Sequence, residues 1–291
     1  MKFKHLYYLI IFFLFSHWFS SQTIHGTIIS NETKQPVPFA KIGILNETLG
    51  AIADEKGNFS LDFTHVNKSG NLIVEVAGFK PFQISVGKFI SQNSHQIFLE
   101  ERISDIPEIV ITPKKFKDAN LGYNSKSKSI HIDYLSKNSK NAKKRYSEEE
   151  LNQPQSEIAI SIETKKNTKL MKINLNFAQF TLEKPIPARF NIYDEKDGKP
   201  NQLVNLEDLV FEISKGAIKD GVFTFDVSRK NIWLKGKYFI SFQPLDRDFD
   251  GNFFVSAGFL GKAFQRSYLE PWRVLPASIV PAINVDVKIE K

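Results

Sequence analysis

The segment Gly50-Ala51-Ile52-Ala53-Asp54-Glu55-Lys56-Gly57-Asn58-Phe59-Ser60-Leu61 constrains this chain more than any other stretch, because an Asp-x-x-Gly turn sits between two alternating runs. Alternation of apolar and polar residues sends successive side chains to opposite faces of a strand. A carboxylate at the first turn position can accept backbone N–H groups two or three residues on, and a glycine at the fourth tolerates φ > 0. Asp54 and Gly57 are therefore predicted to make a turn, with Phe59 and Leu61 directed to one face. The same alternation occurs in Ile24 to Ile28, Ala40 to Ile44 and Leu72 to Val76. Pro36 and Pro38 fall between the first two runs, where a missing N–H costs no ladder bond. Five or more short strands at this spacing predict a β-sandwich.

Ile24-x-Gly26-Thr27-Ile28, Gln35-Pro36-Val37-Pro38-Phe39-Ala40, Asp54-Glu55-Lys56-Gly57-Asn58-Phe59 and Val76-Ala77-Gly78-Phe79, in this order and spacing, resemble the carboxypeptidase-like regulatory domain. The resemblance implies a transthyretin-like, seven-stranded β-sandwich over residues 22–112. Such domains stand behind the catalytic domain of some metallocarboxypeptidases and at the front of many outer-membrane receptors of the Bacteroidetes type. Ile106 to Thr112 is similar to the exit strand that joins the domain to a receptor plug. The chain that follows is too short for a plug and a large barrel.

Lys2 and Lys4 precede an apolar run from Leu6 to Phe15, and Ser16 to Ser21 supplies small residues for cleavage. Residues 1–21 read as a secretory signal peptide, which predicts export to the periplasm or cell surface, with outer-membrane association as one destination. No later stretch approaches the roughly 20 apolar residues of a membrane-spanning helix. With zero cysteines, disulfides, thiolate metal sites, a cysteine nucleophile and lipid attachment through an N-terminal Cys are all excluded.

The formal charge of +7 is localised. Pro113 to Arg145 carries ten Lys or Arg against Asp118 and Asp133, a net of +8, so the rest of the chain is close to balanced. Residues 113–155 are also rich in Ser and Asn, and they read as a basic linker or extended surface excursion. Anionic lipid or polysaccharide is the alternative partner for such a block. Nucleic acid is not expected, because the secretory signal removes the chain from it and no folded face interleaves Arg with aromatics.

From residue 156 the β pattern returns in Ile158 to Ile162, Ile173 to Phe177, Phe190 to Ile192, Val222 to Val227, Tyr238 to Phe242, Phe253 to Ala257 and Ile283 to Ile289. Turn signals at Asp197-Gly198, Asp220-Gly221, Asp250-Gly251 and Pro281 separate these runs. The 26 Phe residues, each able to bury roughly 150 to 250 Å², favour two sheets around a shared apolar interior. The fold class is all-β, with a second sandwich over residues 156–291 that is predicted to be jelly-roll-like. Phe190-Asn191-Ile192-Tyr193, Tyr238 to Phe242 and Phe253 to Gly258 are similar to a C-terminal β-domain of Bacteroidetes envelope proteins that carry the same regulatory module.

Catalytic patterns are missing. None of His25, His65, His95 and His131 has Glu three residues on, so the His-x-x-Glu zinc pair of the related carboxypeptidases is absent. No H-E-x-x-H or G-x-S-x-G occurs, and Gly261-Lys262-Ala263 lacks the remainder of a phosphate loop. Asp246-Arg247-Asp248-Phe249-Asp250-Gly251 has the D-x-D-x-D-G spacing of a calcium loop, but its twelfth position is Ala257 rather than Glu. An acidic hairpin needs no metal, so Asp246, Asp248 and Asp250 are calcium candidates second to that plainer reading. Arg266, Tyr268, Trp272 and Arg273 beside a Pro-rich stretch suggest an aromatic platform for a sugar ring, although Tyr268 and Trp272 could equally cap the core, as Trp233 could at another edge.

The sequence thus predicts an exported, non-enzymatic interaction or structural module with no cofactor, whose partner is an envelope protein or receptor. A carbohydrate- or calcium-binding accessory protein of a surface glycan system is the alternative.

Overall fold

The computed structural model describes residues 22–64, 66–102 and 115–291. The segments expected to be a signal peptide (residues 1–21) and an exit strand (Ile106 to Thr112), and His65, lie outside the described residues.

The first module is a sandwich of seven strands. Strands β1 (Thr23–Ser30), β4 (Asn58–Asp62) and β7 (Gln96–Leu99) form one sheet in the order β4-β1-β7. Strands β2 (Lys41–Ile44), β3 (Gly50–Ile52), β5 (Asn71–Glu75) and β6 (Phe82–Ser85) form the other in the order β3-β2-β5-β6. A short helix, α1 (Val86–Ile90), closes one end and buries Val86 and Phe89. The Asp54 turn joins β3 to β4: Asp54 Oδ1 accepts the N–H groups of Lys56 and Asn58, both at 2.8 Å. Gly57 has φ +72°, and a Cβ there would stand 2.6 Å from the Ile28 carbonyl oxygen. Phe59 is buried between the sheets, 6.4 Å from the Phe89 ring.

In β2 and β5 the alternation has a consequence beyond this core. Ile42, Ile44, Leu72 and Val74 face it, yet Lys41, Gly43 and Ile73 on the opposite face are buried as well. That face is covered by the second module.

The second module is organised around β10 (Glu157–Phe180), a strand of 24 residues that absorbs two of the alternating runs. Along its length it pairs with β16 (Trp233–Pro244), β15 (Val222–Asp226), β18 (Ala263–Arg266), β21 (Ile283–Glu290) and β17 (Asn252–Gly258). Strand β11 (Ile186–Lys196) pairs with β16, β12 (Lys199–Leu203) and β13 (Leu209–Ile213). A jelly roll would divide eight strands between two sheets. Here a network of fourteen strands runs continuously through β10.

The basic linker expected over residues 113–155 is corrected by the structure. Strand β8 (Phe116–Gly122) pairs with β21, and β9 (His131–Leu135) pairs with β17. Helices α2 (Lys140–Arg145) and α3 (Glu148–Leu151) bury Ala142 and Leu151 beside Leu135. Charges concealed the strand pattern: Ala119, Leu121, Ile132 and Tyr134 pack on the main core, while the charges of this region, the exposed Lys117 and Asp118 among them, lie outside it. Several are paired, Arg145 with Asp133 at 2.7 Å and Lys137 with Asp248 at 2.9 Å. Among the described residues no helix is long and apolar enough to cross a membrane.

Candidate functional site

Four adjacent strands of the second module, β11, β16, β10 and β18, present one face to the first. Their register sets Asn191 opposite Ser241 and Glu157 opposite Arg266. Because β10 alternates, Ile158 and Ile160 enter the main core while Glu157 and Ala159 point the other way. Ala159 joins Tyr193, Phe239, Phe264 and Trp272 in a smaller apolar cluster.

Into this face the first module inserts Lys41. Its Nζ lies 2.6 Å from Glu157 Oε2 across 116 residues of sequence. Glu157 also accepts hydrogen bonds from Asn191 Nδ2 at 2.7 Å, Tyr193 Oη at 2.8 Å, Ser241 Oγ and Arg266 Nε at 3.0 Å. The side chain of Glu157 is 0% exposed and that of Lys41 2%. Arg266 continues the network to Tyr193 Oη at 2.7 Å and stacks over Trp272, 4.6 Å from the ring centroid.

Burial alone would raise the Glu157 carboxyl, but the adjacent Lys41 and Arg266 charges outweigh it and hold the group below the usual carboxylate range. Burial, reinforced by repulsion from Arg266, lowers Lys41 to about 8 despite the attraction of Glu157. A carboxylate offers about four acceptor sites, so five donors leave Glu157 no capacity for a substrate proton. Glu157 thus serves Lys41 and Arg266 as a buried counter-charge.

The rest of the interface uses backbone carbonyls. Tyr268 Oη donates to the carbonyl oxygens of Ile42 and Ala51. Its ring occupies the place where a Cβ on Gly43 or Gly50 would stand. Arg189, buried in β11, donates to the Phe39 carbonyl at 2.6 Å and to Asp208 at 2.7 Å. From the other side, Arg102 of the first module donates to the carbonyls of Leu203 and Asn205.

These contacts correct the sugar platform read at Tyr268 and Trp272. Both rings are buried, one in the intermodule contact and the other under Arg266. Arg273, exposed, pairs with Glu270 at 3.0 Å. The acidic loop is also engaged: Asp246 Oδ1 accepts the Asp248 N–H at 2.7 Å, and Asp248 holds Asn138 at 2.6 Å and Lys137. Gly251 closes the loop at φ +81°. Among the described residues no group of three or more His, Asp or Glu is placed to hold a metal. His131 bridges the Lys128 carbonyl and Asp133 and stacks on Phe254, and His95 packs edge-on against Phe89.

Of the two readings open for Trp233 in the sequence, a cap on a core edge is not the one it adopts. Trp233 is 43% exposed. It lines a groove of about 710 Å³ together with Tyr238, Asp194, Leu206, Glu207 and Lys230. Its indole Nε1 donates to Asn231 Oδ1 at 3.0 Å, and Asn231 sits in the left-handed region at φ +52°.

Residues 24–111 match the model of the CarboxypepD_reg-like domain. No curated protein matches the chain. Among solved structures, a chain from the infectious bursal disease virus Gx strain is 10% identical, with a TM-score of 0.28. The alignment covers 92% of this chain and 64% of the viral one, so the chain spans less than two thirds of that relative. A protein of unknown function from Bacteroides fragilis NCTC 9343 is 10% identical with a TM-score of 0.19, covering 92% of this chain and 97% of that one. At these scores neither likeness bears on the fold or the function.

Proposed function

Taking residues 24–111 as a CarboxypepD_reg-like domain, we propose that the chain is an exported, non-enzymatic structural and interaction module of the cell envelope that engages an envelope protein or receptor. A domain of this kind is a non-catalytic regulatory or structural β-unit. The observation that carries the reading is the buried convergence of Lys41, Glu157 and Arg266 between the modules, where Lys41 crosses from the first module to a carboxylate that the second holds in place. Export is supported by the signal-like start, Lys2 and Lys4 before Leu6 to Phe15. The carbohydrate reading loses its original seat once Tyr268 and Trp272 are buried, and the calcium reading must compete with Lys137 and Asn138 for Asp248.

The test is fractionation of the native cell, with intact-mass analysis of the recovered protein and crosslinking in the intact envelope. The expected result is a chain shortened at its N-terminus, in the periplasmic or outer-membrane fraction, crosslinked to an envelope protein. An uncleaved chain in the cytoplasm, or zinc-dependent release of C-terminal residues from peptides by the purified protein, would overturn the proposal.

A further inference from the structure

We infer that the groove beside Trp233 is a binding site for a neutral saccharide, with the Trp233 indole as its stacking platform. Its volume of about 710 Å³ falls within the roughly 300 to 1,000 Å³ of small-molecule sites. The platform is held in place, since Asn231 Oδ1 accepts the indole N–H and fixes the ring while leaving it exposed. Tyr238 lies five residues further along β16 and would face the other side of a regular strand. The pairing of β16 with β10 is irregular between them, opposite Thr164 to Thr168, Gly236 stands there at φ +95°, and both rings line the groove.

The charges indicate the class of ligand. Lys230 Nζ is 2.5 Å from Glu207 Oε2, and Asp194 Oδ1 accepts the Gln202 N–H at 2.7 Å and Asn201 Nδ2 at 3.1 Å. Lys230 and Glu207 neutralise each other and Asp194 is held by two neutral donors, so an ionic ligand gains less here than at a fully unpartnered charge. A purely apolar ligand would strip water from these polar groups without replacing it, which opposes its binding. A peptide bound in extended form would need an open strand edge: β11 is paired on both sides, whereas β16 pairs with β11 only from Phe239 to Pro244, so the peptide in the titration below addresses the segment Trp233 to Tyr238. A pyranose combines a C–H face for the indole with hydroxyls that join existing hydrogen-bond networks.

The first module shapes this site. The wall at Val204 to Glu207 is tied down by Arg102, through the Leu203 and Asn205 carbonyls, and by Asn205, which takes the Ile192 N–H at 3.1 Å and donates to the Glu207 carbonyl at 2.8 Å. Arg102 is thus a positioning residue for a groove it does not line. The inference is independent of the envelope reading, because it concerns binding wherever the protein resides.

The chain from Gln22 onward is titrated by calorimetry and Trp fluorescence with neutral hexasaccharides of glucan, mannan and xylan, alongside a heparin hexasaccharide and an apolar peptide. At least one neutral sugar should bind and change the fluorescence. Trp233→Ala should weaken it by about tenfold or more, as for an aromatic hot spot. In Trp233→Phe only the buried Trp272 still reports, and the fluorescence change should vanish while part of the binding remains. Arg102→Ala should weaken binding at unchanged stoichiometry, and melting curves verify that each variant is folded. Failure of every neutral sugar to bind, affinity unchanged in folded Trp233→Ala, or preference for heparin or the peptide would each overturn the inference.

Discussion

The intermodule charge cluster and the Trp233 groove both gather polar and aromatic side chains on the second module, yet they differ in how their hydrogen-bonding capacity is used. At Glu157 five donors meet one carboxylate at 0% exposure. At the groove the one close ion pair has side chains 30% and 61% exposed, and an indole faces open volume. Convergence of titratable groups is often taken as a mark of a functional site. Here the denser convergence is the joint and the sparser one is the binding candidate. Solvent access and unused bonding capacity distinguish them, not the count of charges.

The comparison breaks most visibly if the cluster is not a joint. Glu157→Ala leaves Lys41 and Arg266 buried without their counter-charge, and the expected loss is about 3 to 5 kcal/mol, read from urea denaturation. A loss below about 1 kcal/mol would mean that water enters the interface and the two regions are alike.

Acid titration gives the next effect. The folded-state pKa of Glu157 is depressed, so its stabilisation is complete above the unfolded value of about 4.3 and is lost as pH falls through the folded value. Thermal melting followed from pH 6 downward should fall more steeply in the natural chain than in Glu157→Gln, which has no such proton to take up. Parallel curves would remove the cluster from the account of acid sensitivity.

The smallest effect sharpens the contrast from the other side. Glu207→Ala, which breaks the partly exposed pair with Lys230, should cost only about 0.2 to 1 kcal/mol in the same denaturation assay. A loss as large as that of Glu157→Ala would make the groove mouth a structural element.

Much of the fold is legible along the chain because β alternation and turn chemistry are local. The Asp54 turn and Gly57, the run Ile42 to Ile44 and the paired β segments of the second half all announce themselves within a few residues. What alternation cannot say is whether the outward side of a strand meets water or another module. Lys41 and Gly43 look like solvent-facing positions, and only the Tyr268 ring and Glu157, drawn from distant parts of the sequence, make them an interface. Charge density hid β8 and β9 for a related reason, since Lys117 and Asp118 before Ala119, and Asp133 between Ile132 and Tyr134, imitate a spacer. Trp233 could have been flagged by the polar neighbours around it, Lys230, Asn231, Lys235 and Lys237, which are poor company for a core residue.

The bare notch that Gly43 and Gly50 leave for Tyr268 has a bearing on how the protein comes into being. The first module is synthesised before any residue that will fill the notch, and for that interval Lys41 is a hydrated surface lysine while the Ile42 and Ala51 carbonyls bond to water. Closure waits for Tyr268, which stands 226 residues after Ile42. The joint therefore cannot close before Tyr268 is made, and a chain interrupted before that point would present the same sandwich with that face open. Completion of the second module is what turns the first from a free-standing sheet into a finished surface.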